Sequence, residues 1–98
     1  MSTFQEIIKG EIPVLVDFHA EWCKPCKIMQ PILKDLKTDL GEKIKILKIN
    51  VDNNSAISKK FNVNGVPTFI IFFKGKLIWR KSGLVEKEFL KNFVESLI

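Results

Sequence analysis

Asp17-Phe18-His19-Ala20-Glu21-Trp22-Cys23-Lys24-Pro25-Cys26 carries an apolar run straight into two cysteines held two residues apart. Just upstream, Val14-Leu15-Val16 has the β-branched and apolar character of a buried strand. Pro25 stands where the first turn of a helix accepts proline, because the N–H it lacks would have no partner there. The pattern therefore predicts a strand-to-helix junction at the cysteines. A helix N-terminus presents unpaired N–H groups and about half a positive charge, which favours thiolate over thiol at Cys23. Cys26, one turn further in, is expected to be more buried and less ionised. That asymmetry would let Cys23 attack a disulfide and Cys26 resolve the mixed disulfide by closing onto Cys23.

The pentapeptide Trp22-Cys23-Lys24-Pro25-Cys26, the run Val16 to Trp22 before it and Gly65-Val66-Pro67-Thr68 downstream together resemble the thioredoxin family. The similarity extends over almost the whole chain. It implies a thioredoxin-like α/β sandwich of three layers, with a central four-stranded mixed sheet and helices on both faces. The activity it implies is reduction of protein disulfides by dithiol–disulfide exchange. Thioredoxin reductase, or an equivalent donor, is the implied source of electrons. The sequence has no flavin or nicotinamide motif, so no cofactor is expected beyond the redox-active Cys23–Cys26 pair. Two other readings stay open: a disulfide oxidase or isomerase, and a non-catalytic docking subunit built on the same fold.

Size and composition bound these readings. The chain has 98 residues, 46% of them hydrophobic, enough for one domain over residues 1–98 with its own core. A lone C-x-x-C is also half of a zinc site. With two cysteines and one histidine in the chain, a closed four-ligand site would need carboxylates or a second chain. A structural disulfide this short would constrain the unfolded chain very little, so redox chemistry explains the pair better. Met1 to Glu6 is polar and acidic and lacks the character of a secretory leader. No apolar run approaches the roughly 20 residues of a membrane span. The expectation is a cytoplasmic monomer without a membrane partner. The formal net charge of +5 comes from basic residues scattered among acids and without a nucleic-acid motif. It argues for faster encounter with acidic protein surfaces and against nucleic acid as the partner.

Along the chain, Thr3 and Glu6 have capping-box spacing for a first helix of about residues 3–9. Residues 14–19 form the first strand. Thioredoxins carry a further strand before this helix, which the chain begins too late to contain, so an exposed sheet edge is expected. Ile28, Met29, Ile32, Leu33, Leu36 and Leu40 repeat at helical spacing over about residues 25–39, through Pro31 to Gly41. A second, parallel strand follows over residues 45–51, then a short helix from the Asp52–Ser55 cluster to about Phe61. Residues 68–73 and 77–81 are expected as an antiparallel hairpin turning at Lys74-Gly75-Lys76. A last helix, with Glu86 and Glu88 in its first turn, would bury Phe89, Leu90, Phe93, Val94 and Leu97.

The remaining candidate site residues rest chiefly on the resemblance. Asp17 matches a buried acid behind the cysteines that takes the proton from Cys26; the plain alternative is a strand-end carboxylate bonded to nearby N–H groups. Lys48 matches the lysine that approaches this acid. Pro67 matches a proline whose preceding bond, here Val66–Pro67, is cis beside the cysteines, leaving the Val66 backbone free to pair with an extended substrate. A trans proline opening a strand is the alternative. Trp22 fits the docking surface or a partly buried core position. Gly65 and Gly83 match glycines bordering that surface, although a turn explains either. Lys24 departs from the glycine usual between the cysteines and is expected to tune partner choice with Pro25 alongside it. His19 stands where thioredoxins often carry tryptophan, and packing explains it better than catalysis.

Overall fold

Alternation along Val14–His19 sorts the core into two halves. Leu15 faces a cluster formed by Met29, Leu33, Leu36, Leu40, Phe69, Ile71, Leu90 and Val94. Val14, Val16 and Phe18 point the other way, toward Ile8, Ile49, Ile70 and Phe72. With side chains alternating at a period of two, a strand apolar on both faces must lie between two layers of helices. In the computed structural model, which describes residues 3–98, that strand is β1 (Val14–His19). It runs parallel to β2 (Lys45–Asn50) and antiparallel to β3 (Thr68–Phe73), and β4 (Lys76–Ser82) pairs antiparallel with β3. The sheet order is β2-β1-β3-β4.

Helices α2 (Lys24–Leu40) and α4 (Lys87–Leu97) pack on the face of Leu15. Helices α1 (Phe4–Ile8) and α3 (Ser55–Lys60) cover the other face, where Phe4, Phe61 and Phe72 meet edge-on or tilted. Thr3 caps α1 as the spacing predicts, its hydroxyl accepting from the Glu6 N–H. Helix α2 continues through Pro31 and ends at Gly41, whose φ of +56° is the left-handed turn that glycine makes at least cost. The hairpin turns at Lys74 and Gly75, both with positive φ, which matches the twist of the flanking strands. No helix among the described residues is long and apolar enough to cross a membrane.

Three expectations need correction. Ile28 is 50% exposed, because the buried stripe of α2 starts from Cys26 and runs Met29, Leu33, Leu36 and Leu40. Phe89 is also exposed, since Leu90 and Val94 alone take the fully buried positions of α4 and the helix turns Phe89 toward Trp79 at its rim. Glu86 is the N-cap of α4 and lies before its first turn, whereas Glu88 lies within it. A short 3-10 turn at Gly41–Lys43, and a bulge between Ile71 and Phe72, have no counterpart in the sequence reading.

Candidate functional site

The end of β1 hands the chain to α2 across four residues, and the first of the paired cysteines becomes the helix cap. Cys23 has extended backbone angles, and its Sγ accepts from the Cys26 N–H at 3.2 Å. Pro25 lies in the first turn, where its missing N–H costs nothing. Cys23 and Cys26 are joined in a disulfide, with Cα atoms 5.3 Å apart. The expected difference in burial between them is not found in this oxidised state, in which they are 3% and 2% exposed. Ala20 clusters with the two cysteines, and Val51 and Val66 pack against them. The asymmetry that exists is positional: Cys23 caps the helix, while Cys26 lines a cavity of about 210 Å³ with His19, Ala20, Glu21, Lys27 and Gln30.

Open surface lies alongside. Trp22 is 70% exposed, and its indole N–H donates to Asp52 Oδ2 at 3.0 Å. Lys24 and Pro25 are exposed as well. Val66 packs against the disulfide, and the Val66–Pro67 peptide bond is cis. The Pro67 carbonyl accepts from the Gly83 N–H at 2.8 Å. Thr68 Oγ1 donates to the Gly65 carbonyl at 2.6 Å and lies 3.0 Å from Ser82 Oγ. Gly65, Val66, Pro67 and Gly83 are thereby gathered at one end of the sheet. Gly83 has φ of +95°, a conformation other residues adopt only under strain.

Asp17 lies on the α2 face of β1 and is 1% exposed. Burial pushes its carboxyl above the ordinary carboxylate range, and His19, Gln30 and Lys48 pull in the opposite direction. Its Oδ2 accepts a long hydrogen bond of 3.4 Å from Gln30 Nε2, and its buried Oδ1 accepts from no donor among the described residues. Lys48 is the register partner of Asp17 on β2, but its ammonium donates to Gln30 Oε1. The half-buried His19 shares the same cavity as Cys26.

Two residues that matter here were missed by sequence reasoning. Gln30 stands one helical turn after Cys26 on the same face of α2, and that spacing is the signal that would have found it. Asp52 was read only as a cap candidate for α3; no local pattern links it to Trp22. Among the described residues no group of three or more histidine, cysteine or acidic side chains is placed to hold a metal.

Comparison with known proteins returns one consistent answer. The Thioredoxin family model matches residues 1–96. A thioredoxin of Rickettsia bellii (strain RML369-C) is 39% identical over 94 residues, covering 96% of this chain and 90% of the relative. The chloroplastic thioredoxin Y of Oryza sativa subsp. japonica is 41% identical over 98 residues, 99% of this chain and 58% of the relative. Among solved structures, the oxidised form of mitochondrial thioredoxin 3 from Saccharomyces cerevisiae superposes with a TM-score of 0.82 at 32% identity. The match covers 95% of this chain and 86% of that one.

Proposed function

The chain belongs to the thioredoxin family and is a thiol–disulfide oxidoreductase, and from that premise we propose that it works as a general reductase of protein disulfides. The observation that carries the reading is the Cys23–Cys26 disulfide itself, capping a helix N-terminus beside the exposed Trp22 and the Val66–Pro67 edge. In the reduced protein the Cys23 thiolate attacks one sulfur of a substrate disulfide, and the other sulfur leaves as a thiolate. Cys26 then attacks the mixed disulfide at Cys23. The substrate's second sulfur departs, and two electrons have passed from the protein dithiol to the substrate.

Each neighbour has a part in that cycle. The helix N-terminus stabilises the negative charge on Cys23. Asp17, buried and with a raised affinity for protons, accepts the proton that Cys26 gives up as it attacks, and Lys48 restrains that affinity. Trp22, Lys24, Pro25, Gly65, Val66 and Gly83 form the surface on which an extended substrate segment lies, with backbone pairing to Val66 beside Pro67. Backbone pairing suits many unrelated partners, because every polypeptide offers the same groups. The Cys23–Cys26 pair serves as the redox group without a further cofactor, and thioredoxin reductase or an equivalent donor regenerates the dithiol in a reducing, cytoplasmic setting.

Trapping tests this directly. A Cys26→Ser variant is expected to stall as mixed disulfides through Cys23 with disulfide-bearing proteins, released by added dithiol. Equal capture by a Cys23→Ser variant that keeps Cys26, or no dithiol-sensitive adduct at all, contradicts the assignment.

A further inference from the structure

Among the described residues, Gln30 is the one side chain that hydrogen-bonds to Asp17, Lys48 and the backbone of Cys26 together. Its Nε2 donates to Asp17 Oδ2 at 3.4 Å and to the Cys26 carbonyl at 3.3 Å, while its Oε1 accepts from Lys48 Nζ. This orientation of the amide is the only one that satisfies all three neighbours. A lysine ammonium has donors and no acceptor, so it must face the amide oxygen, and the two acceptors must then face the amide nitrogen. An N–H donor directed at Oδ2 leaves Oδ1 as the oxygen that can carry a proton. Oδ1 is the buried atom without a donor among the described residues.

We propose that Gln30 is the positioning residue of the proton relay: it fixes Oδ1 of Asp17 as the proton-exchanging oxygen and transmits the charge of Lys48 to the carboxylate. The proposal rests on the reading of Asp17 as the acceptor of the Cys26 proton. In the resolving step the Cys26 S–H bond breaks and its proton passes to Asp17 Oδ1. The Cys26 sulfur forms the bond to Cys23 Sγ, and the substrate sulfur leaves with the electron pair of the mixed disulfide. The proton then returns to that thiolate or to solvent, which closes the balance. Around Asp17 the charged and titratable groups are His19 on its own strand and Lys48 on β2, and Gln30 is the polar contact from α2.

Gln30→Met keeps the length and helix preference of the side chain and removes both ends of the relay. Carbon-detected titration of the Asp17 carboxyl in the oxidised protein is expected to show its midpoint moved up in this variant. The pH profile for resolution of a preformed mixed disulfide should move up with it, with a rate about fivefold lower at neutral pH, the factor one ordinary hydrogen bond is worth. Gln30→Glu, which keeps an acceptor for Lys48 but sets a carboxylate against Asp17, is expected to move the midpoint further in the same direction. Lys48→Met should raise the midpoint in the parent and have less effect in the Gln30→Met background. An unchanged Asp17 midpoint in both Gln30 variants, or an equal Lys48→Met effect in both backgrounds, overturns the proposal. The titration is read without turnover, so it is separable from the reductase reading: Asp17→Asn resolving mixed disulfides at the parental rate would remove Asp17 from the mechanism, whatever the Gln30 variants do to its titration.

Discussion

Asp17 and Lys48 are register partners on the parallel strands β1 and β2, yet the lysine ammonium closes on Gln30 Oε1 and the carboxylate keeps one oxygen without a donor among the described residues. An acid held this way is costly to ionise. Burial raises the proton affinity of Asp17 above its unfolded value, and the charges of His19 and Lys48 offset that only in part. Between the unfolded and folded pKa the native state therefore binds more protons than the unfolded state, and stability falls as pH rises through that window. Asp17→Asn has no such slope. Relative to the parent it is expected to gain stability steadily as pH rises from the ordinary carboxylate range through the folded pKa, and to level off above it. Urea melts at several pH values from acid to neutral measure the difference; a flat difference across that range contradicts the raised pKa.

Leu36 lies fully buried on α2 within the cluster that joins α2, α4 and the sheet. Truncation to alanine removes apolar contact and leaves a cavity in the larger half of the core. Leu36→Ala is expected to cost about 2–5 kcal/mol without changing the partners trapped by the cysteines. Chemical denaturation gives the first number, and mixed-disulfide capture below the melting range gives the second. A loss under about 0.5 kcal/mol would place this residue outside the packed core.

The layered core and the cysteine cap were legible because each rests on local periodicity. Apart from Asp17 and His19, residues 14–19 are apolar on both faces, and residues 69–73 are apolar without a break, so the burial of both segments in a central sheet follows from pattern. Pro25 and the C-x-x-C spacing placed the helix start to within a residue. What stayed hidden depends on which helix lies over which strand. Glutamine at position 30 reads as an ordinary polar helix residue until α2 crosses β1 and sets it against Asp17. The same is true of Ile28 and Phe89, whose apolar character cannot say which edge of a helical stripe the sheet will cover. The near-equal burial of Cys23 and Cys26 depends on Ala20, Val51 and Val66 closing around the pair, contacts made across the fold that the C-x-x-C spacing does not encode.

Lys24 occupies the first helical position between the cysteines and is exposed. At close range in a water-like dielectric its charge is worth about 1 kcal/mol to a thiolate, less in salt. That favours the dithiol form and raises the two-electron potential by roughly 20 mV. Lys24→Gly is thus expected to be more reducing by that amount, which leaves a reductant a reductant. Equilibration against a reference dithiol measures it; a gap of about 60 mV or more would mean that Lys24 acts through more than its solvent-screened charge.

Trp22 holds its indole out into solvent, tethered by one hydrogen bond to Asp52 at the start of the loop before α3. Both partners are exposed, so the bond contributes little to folding, and Asp52→Ala is expected to change stability by no more than about 0.5 kcal/mol. Its consequence lies in binding. An exposed aromatic ring that is already oriented loses little freedom when a partner covers it, whereas a free one must be ordered at that moment, at about 0.5–1.5 kcal/mol. Asp52→Ala should accordingly raise KM for a protein disulfide about two- to tenfold with kcat little changed. A small disulfide that reaches the cysteines without covering Trp22 should react at the parental rate. Steady-state kinetics with the two substrate sizes separate docking from chemistry: equal losses with both would mean that Asp52 acts on the cysteines and that the tryptophan tether has no part in recognition.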